Sequence, residues 1–123
     1  MRWISSFARD WASSLAFVLL WVLFVGVTGA VAAQRSAAAL YKDAQTAEKR
    51  LHQSETRLKN KSEWNKVAKL YRKVVLSHPQ SGYCDDALYY EAEIQVGIYR
   101  RFADQSALQR ALDTYLLLAN GYP

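Results

Sequence analysis

From Trp64 to Pro79 the chain reads WNKVAKLYRKVVLSHP, and 44 positions later, from Leu108 to Pro123, it reads LQRALDTYLLLANGYP. Trp64, Val67, Ala68, Tyr71, Val74, Val75, His78 and Pro79 fall in register with Leu108, Ala111, Leu112, Tyr115, Leu118, Ala119, Tyr122 and Pro123. Within each set the positions step by three and four, which draws one apolar stripe along a helix. Each stripe then runs into a proline, which cannot continue a helix because it lacks the N–H and crowds the preceding turn. Stripes that recur at a fixed offset are the mark of stacked helical hairpins, each burying its face against the next. The expected fold is therefore all-α, two antiparallel hairpins of an α-solenoid, about 37–79 and 83–123.

Four helices are expected after residue 34, with no strand candidates. The first spans Ala37 to about Leu58, with Leu40, Tyr41, Ala44, Ala47, Leu51 and Leu58 on one face. Ser62 is the candidate cap of the second, and Glu63 suits its electropositive start. Pro79-Gln80-Ser81-Gly82 reads as a turn. Asp85 or Asp86 is the candidate cap of the third, Ala87 to about Arg101. Its apolar residues include Ala87, Leu88, Ala92, Ile94 and Ile98 and spread around most of the helix, so it belongs at the centre of the bundle. Ser106-x-x-Gln109 has the spacing of a capping box and opens the fourth. Cys84 is the single cysteine, so no internal disulfide can form, and it reads as a small residue half buried at a helix start.

The first 33 residues are of another kind. Arg2 and Arg9 precede an apolar run from Leu15 to Val27, and Ala30-Val31-Ala32 follows as an A-x-A site. That is the layout of a secretory signal peptide cleaved after Ala32. The alternative is an uncleaved anchor, since Leu15 to Ala33 gives 19 residues without a charge, enough to span a bilayer. Both readings place the remainder outside the cytoplasm. Acylation at Cys84 is excluded, because a lipoprotein cysteine directly follows the apolar run. Charge is uneven: residues 34–79 carry 11 basic and 4 acidic side chains, and residues 80–123 carry 3 and 6. In an exported chain the basic half reads as solvated helix faces and not as a nucleic-acid footprint.

W-x-x-V-A-x-x-Y-x-x-V-V-x-x-x-P-x-S, then D-D-A-L-Y, then A-L-x-x-A-L-x-x-Y-x-x-L-x-x-x-Y-P resembles tetratricopeptide repeats of bacterial envelope proteins, such as the Tol-Pal coordinating protein and the outer-membrane assembly lipoproteins. Ala111 and Tyr115 match that repeat; Val67, Val74 and Leu118 are larger than its pattern prefers, and the 44-residue offset exceeds its usual 34. SGYCDDALYYEAE, YRRFADQSALQRAL and the closing YP are similar to the repeat region preceding the catalytic domain of some exported N-acetylmuramoyl-L-alanine amidases. The resemblance covers about residues 37–123. It implies that Trp64, Val67, Ala68, Tyr71, Val74, Pro79, Ala87, Leu88, Ala92, Leu108, Ala111, Leu112, Tyr115, Leu118 and Pro123 serve repeat packing.

The chemistry for catalysis is missing from the sequence. A zinc amidase needs two histidines and a glutamate around an open metal position. Here His52 sits in a polar helix end and His78 occupies the position that Tyr122 fills in the second copy. No HExxH, GxSxG, CxxC or glycine-rich phosphate loop is present. The chain as given is expected to have no cofactor, no metal and no catalysis of its own. The expected role is a periplasmic interaction module that positions a peptidoglycan-active or other envelope machine through a protein or peptide partner. The alternatives are the repeat region of an amidase whose catalytic domain lies outside this chain, and a membrane-anchored adaptor. Most tyrosines fall on packing stripes, but Tyr89 and Tyr90 cannot both face one neighbour, so one is a groove candidate. Tyr115, Leu116, Leu117 and Leu118 in succession exceed what one partner helix can cover. Without a polar capping helix after Gly121-Tyr122-Pro123, residues 33–123 alone are expected to be marginally stable and to associate through the fourth helix.

Overall fold

The computed structural model describes residues 34–122; the proposed signal or anchor segment, Leu15–Ala33 included, and Pro123 lie outside them. The described elements are all helices: α1 (Ala37–His52), α2 (Glu55–Leu58), α3 (Lys61–Ser77), α4 (Cys84–Phe102) and α5 (Gln105–Gly121). No strand occurs among the described residues. α1 packs on α3, α3 on α4, and α4 on α5. Ring contacts fix their directions. Tyr41 and His52 of α1 meet Tyr71 and Trp64 of α3, in reverse order. Tyr71 and Trp64 in turn meet Tyr90 and Gly97 of α4. Glu93 and Gln95 of α4 meet Tyr115 and Arg110 of α5. Neighbouring helices are therefore antiparallel, and α3 and α5 run parallel on either side of α4.

The 44-residue echo extends to the bonds. α3 and α5 are both 17 residues long, and Lys61 and Gln105 open them 44 positions apart. Asn60 accepts from the Ser62 N–H, and Asp104 accepts from the Ser106 N–H. The caps at the other end are superposable, His78 at φ −139°, ψ 65° and Tyr122 at φ −139°, ψ 69°. His78 Nε2 lies 2.6 Å from the Arg35 carbonyl, and the Tyr122 hydroxyl donates to the Pro79 carbonyl at 3.1 Å, each 43 positions back. A carbonyl only accepts, so that histidine nitrogen carries the proton. Tyr71 donates to Glu48 and Tyr115 to Glu93, again from the second helix of a pair to the first.

Four boundaries differ from the sequence reading. The first helix does not run to Leu58: it stops at His52, and Ser54 starts α2 by accepting from the Arg57 N–H. A serine side chain bonds a nearby amide as well as the helix ladder does, which lets the chain break there. Asn60, not Ser62, caps α3. α4 starts at Cys84 without a side-chain cap, and Asp85 and Asp86 lie in its first turn, where the helix dipole favours their charge. Asp104, not the Ser106–Gln109 pair, caps α5. Ser106 Oγ donates to Asp104, and the Gln109 amide turns forward to Asp113. Cys84 is fully buried rather than half buried, its thiol 3.0 Å from the His78 carbonyl.

The core is centred on α3 and α4. α3 buries Trp64, Val67, Ala68, Tyr71, Val74 and Val75 because α1 and α4 cover it on two flanks. α4 buries Ala87, Leu88, Ala92, Ile94 and Ile98 between α3 and α5, as expected of a central helix. α5 has one such neighbour among the described residues and buries only Ala107, Ala111 and Thr114. Of its proposed packing residues, Leu108, Tyr115 and Leu118 are half buried. Leu112 is 51% exposed, which overturns its assignment to the packed face. Its stripe is split because no described helix packs on the flank that corresponds to the α4-covered flank of α3. Pro79 is also exposed, in the turn that follows α3, where its carbonyl accepts from Tyr122. The excess basic residues, Lys42, Lys49, Arg50, Lys59, Lys66, Lys69 and Lys73, are all exposed.

Gly97 sits inside α4, where glycine costs a helix about 1 kcal/mol relative to alanine. A Cβ there would stand 2.4 Å from the Trp64 ring. That ring is held in place, since its N–H donates to the Leu58 carbonyl at 3.0 Å and His52 abuts it edge-on. Gly97→Ala should therefore lower Tm despite its better propensity, because overpacking typically costs about 1–3 kcal/mol. A thermal melt by circular dichroism measures this; a raised Tm would mean that the indole moves freely.

Candidate functional site

Because each inner helix is flanked by two others, the bundle carries two furrows. One has α1 and α4 as walls and α3 as floor. The other has α3 and α5 as walls and α4 as floor.

The α3–α5 furrow encloses about 620 Å³ and is lined by Lys61, Lys69, Arg72, Glu91, Gln95, Asp104 and Arg110, with Asn65 and Ala68. Its floor is polar and closed. Glu91 is buried, and Arg72 Nε donates to its Oε1 at 3.0 Å and stands 2.8 Å from its Oε2, off the N–H direction. Arg72 also donates to Thr114 of α5 at 3.0 Å, and Arg110 donates to Gln95 at 3.1 Å. Burial pushes the Glu91 carboxyl up from its ordinary value, and the Arg72 charge and bond oppose that. Removing one member of such a pair leaves a buried charge alone, so the arrangement fixes the register of three helices. Glu91, Gln95 and Thr114 were not singled out in the sequence. The available signal was Glu91 and Gln95 at i, i+4 within an otherwise apolar helix.

At the mouth of this furrow Lys61 Nζ lies 2.5 Å from Asp104, joining the starts of α3 and α5. The Lys61 bond first, then the Ser106 hydroxyl, hold the Asp104 carboxyl well below the usual carboxylate range. A carboxylate whose folded value is depressed stabilises the fold fully above its unfolded value of about 4. That stabilisation is lost as pH falls from there through the folded value. Asp104→Asn should melt below wild type at pH 7, and the gap should narrow as pH falls below about 4 and close only past the depressed folded value. A gap independent of pH would remove the ionic contribution from the account.

The α1–α4 furrow is aromatic and acidic. Tyr83 and Tyr41 lie 5.2 Å apart between ring centroids, and Tyr41 meets Tyr71 edge-on at 6.1 Å. Tyr71 stacks on Tyr90 at 5.6 Å, and Tyr90 meets Tyr89 at 5.4 Å. Tyr71, wholly buried, forms the floor; Tyr83 and Tyr89 are 40% and 46% exposed. Of the groove candidates, Tyr89 is thus the open one, while Tyr90 is half buried. Burial first, then the bond to Glu48, hold the Tyr71 phenol above its ordinary value. Burial first, then the charge of Asp86, raise Tyr41, with Tyr90 and Glu48 acting in the same sense. The acids acting on Tyr41 are thus Asp86 of α4 and Glu48 of its own helix. Burial first, then its bond to Glu93, push Tyr115 up to about 12. At the far end Trp64 lies between His52 and Arg101, whose guanidinium carbon stands 5.7 Å over the indole.

Of the proposed repeat-packing residues, Trp64, Val67, Ala68, Tyr71, Val74, Ala87, Leu88, Ala92 and Ala111 are brought into the buried interior. His52 and His78 lie at opposite ends of the first pair of helices, one against Trp64 and one against a backbone carbonyl. Among the described residues no group of three or more His, Cys, Asp and Glu side chains is placed to hold a metal ion. No described helix is long and apolar enough to cross a membrane. Comparison with models of known families, with curated proteins and with solved structures gives no match for this chain.

Proposed function

We propose that residues 34–122 act as a non-catalytic, tetratricopeptide-like interaction module, exported to the bacterial cell envelope, where it positions a peptidoglycan-active or other envelope machine. The observation that carries this reading is the 44-residue structural repeat, with its matched caps, Tyr–Glu bonds and end contacts. A repeat of helix pairs builds extended surfaces from equivalent helices, and such surfaces suit docking better than chemistry. The docking surface is the α1–α4 furrow, built from the first helix of each pair. The α3–α5 furrow has its floor tied up by internal ion pairs and hydrogen bonds. Export rests on the layout of residues 1–33, and with it the alternative of an uncleaved Leu15–Ala33 anchor that would make the protein a membrane-bound adaptor. The similarity of residues 37–123 to amidase repeat regions supports a second reading, in which this module serves a zinc amidase domain carried elsewhere in a longer chain.

The test is site-specific photo-crosslinking in a bacterial host, with the crosslinker at Tyr83 or Tyr41 in the furrow and at Lys73 on an exposed face. Discrete adducts from the furrow positions, absent from Lys73 and present outside the cytoplasmic membrane, are the expected result. Equal adducts from all three positions, or a protein shielded from protease in spheroplasts, would overturn the reading. In the same strains Ala30 and Ala32 replaced by bulky residues should leave the precursor uncleaved.

A further inference from the structure

We infer that the α1–α4 furrow takes the cationic side chains of an extended basic segment of its protein partner, with an ammonium or guanidinium seated over Tyr41 and Tyr83 between Glu48 and Asp86. The inference rests on the docking role proposed for that furrow and adds the chemistry of what docks. Three observations carry it. Two open or half-open phenol rings, Tyr83 in the turn before α4 and Tyr41 on α1, lie 5.2 Å apart and offer π surface to solvent. The faces of such rings are electron-rich and attract cations. Carboxylates approach from both walls: Glu48 receives the Tyr71 hydroxyl from the floor, and Asp86 is exposed at the start of α4. The charged neighbours acting on the Tyr41 and Tyr71 phenols are the acids Asp86 and Glu48, and Glu48 also lies 3.9 Å from His52.

The far end of the same furrow answers with opposite chemistry. There Arg101 already occupies the Trp64 face, as a cation over an aromatic ring. That internal contact shows the pairing the tyrosine end lacks. Asp86 at the start of α4 and Arg101 at its end orient an incoming chain, with its basic residues toward the starts of α1 and α4. An acidic segment would meet Glu48 and Asp86 where its own charges fall, and like charges in contact are a strong means of rejection.

The experiment is a fluorescence-anisotropy titration of the full chain, kept in solution by a non-ionic detergent. The probes are a labelled decapeptide of alternating lysine and glycine and its glutamate-glycine counterpart. The lysine peptide should bind, and the glutamate peptide should not. Raising salt from about 0.05 to 0.5 M should weaken binding severalfold, because exposed charges are screened over a Debye length. Tyr83→Ala and Asp86→Asn, both at exposed positions, should each weaken it about 3- to 10-fold. Lys69→Ala, in the other furrow, should leave it unchanged. Asp86→Lys should reverse the preference toward the glutamate peptide, a result that mere loss of structure cannot give.

Equal binding of both peptides, or full affinity in Tyr83→Ala and Asp86→Asn, overturns the inference. If neither peptide binds while crosslinks still form from Tyr83, the partner is not basic and the docking reading stands alone. If crosslinks are also absent, the docking reading itself fails.

Discussion

Ile98→Asp should abolish the cooperative unfolding transition of the helical unit formed by residues 35–123. Ile98 has no exposed surface, on the turn of α4 that faces Trp64 and the start of α5. An aspartate there has no partner and no water, and an uncompensated buried charge costs several kcal/mol. A domain of this size holds only about 5–15 kcal/mol in total, so most of its stability is removed at one position. Ile94→Asp, at 2% exposure, should behave alike. Ile98→Val separates packing from charge, because losing one methylene costs about 0.5–1.5 kcal/mol and should leave a normal melt at lower temperature. Circular dichroism melts of the three variants decide it. An unchanged melt in both aspartate variants would mean that α4 is not the centre of the core.

The leucines of α5 should make the same unit associate reversibly, with a midpoint that rises with protein concentration. Leu112, Leu116 and Leu117 are 51%, 60% and 42% exposed. In the repeat they correspond to Ala68, which α4 buries, and to Arg72 and Lys73, which are charged. α5 thus presents an apolar surface where its counterpart is either covered or polar, and contiguous patches of that kind are sites of association. A second copy offers the same uncharged stripe, whereas the outward side of α1 carries exposed Lys42, Lys49 and Arg50. Contact between two α5 faces avoids burying those charges. Sedimentation velocity and paired melts at low and high concentration measure the effect. Replacing the three leucines with glutamine should remove it and leave Tm nearly unchanged, since exposed positions contribute little to the core. A monomer with a high midpoint independent of concentration would show that the two helix pairs close their own core.

The two halves of the molecule show which level of description fixed what. The all-helical class, the 44-residue period and the central place of α4 all follow from apolar periodicity. That is a local property of the chain and legible without coordinates. Trp64, Tyr71 and Val74 are buried as their stripe requires. Leu112 has the same pattern around it and is exposed, because burial depends on having a neighbour, and among the described residues α5 packs closely on α4 alone and meets α3 through side-chain bonds. The caps were misplaced by two or three residues for a related reason. Ser62, Asp86 and Ser106 are all competent caps in isolation, and the choice among neighbouring candidates falls to whichever start lets the helix face dock. Asp104 also reaches Lys61 across the furrow, a contact that spacing within one helix cannot reveal.

The candidate site divides in the same way. The sequence marked the tyrosines as aromatic residues on packing stripes and left one of Tyr89 and Tyr90 for a groove. Only the tertiary structure placed Tyr41, from α1, against Tyr83, just before α4, and brought the charge of Asp86 to bear on Tyr41. Those residues are about forty positions apart, and nothing in helical periodicity says which outward faces of two different helices will meet. The Arg72–Glu91–Thr114 set is hidden likewise, because a charged residue on a helix reads as solvent-facing until its partner on another helix is known. Periodicity determined that this chain forms paired helices, and how those pairs stack decided which of their faces became a furrow.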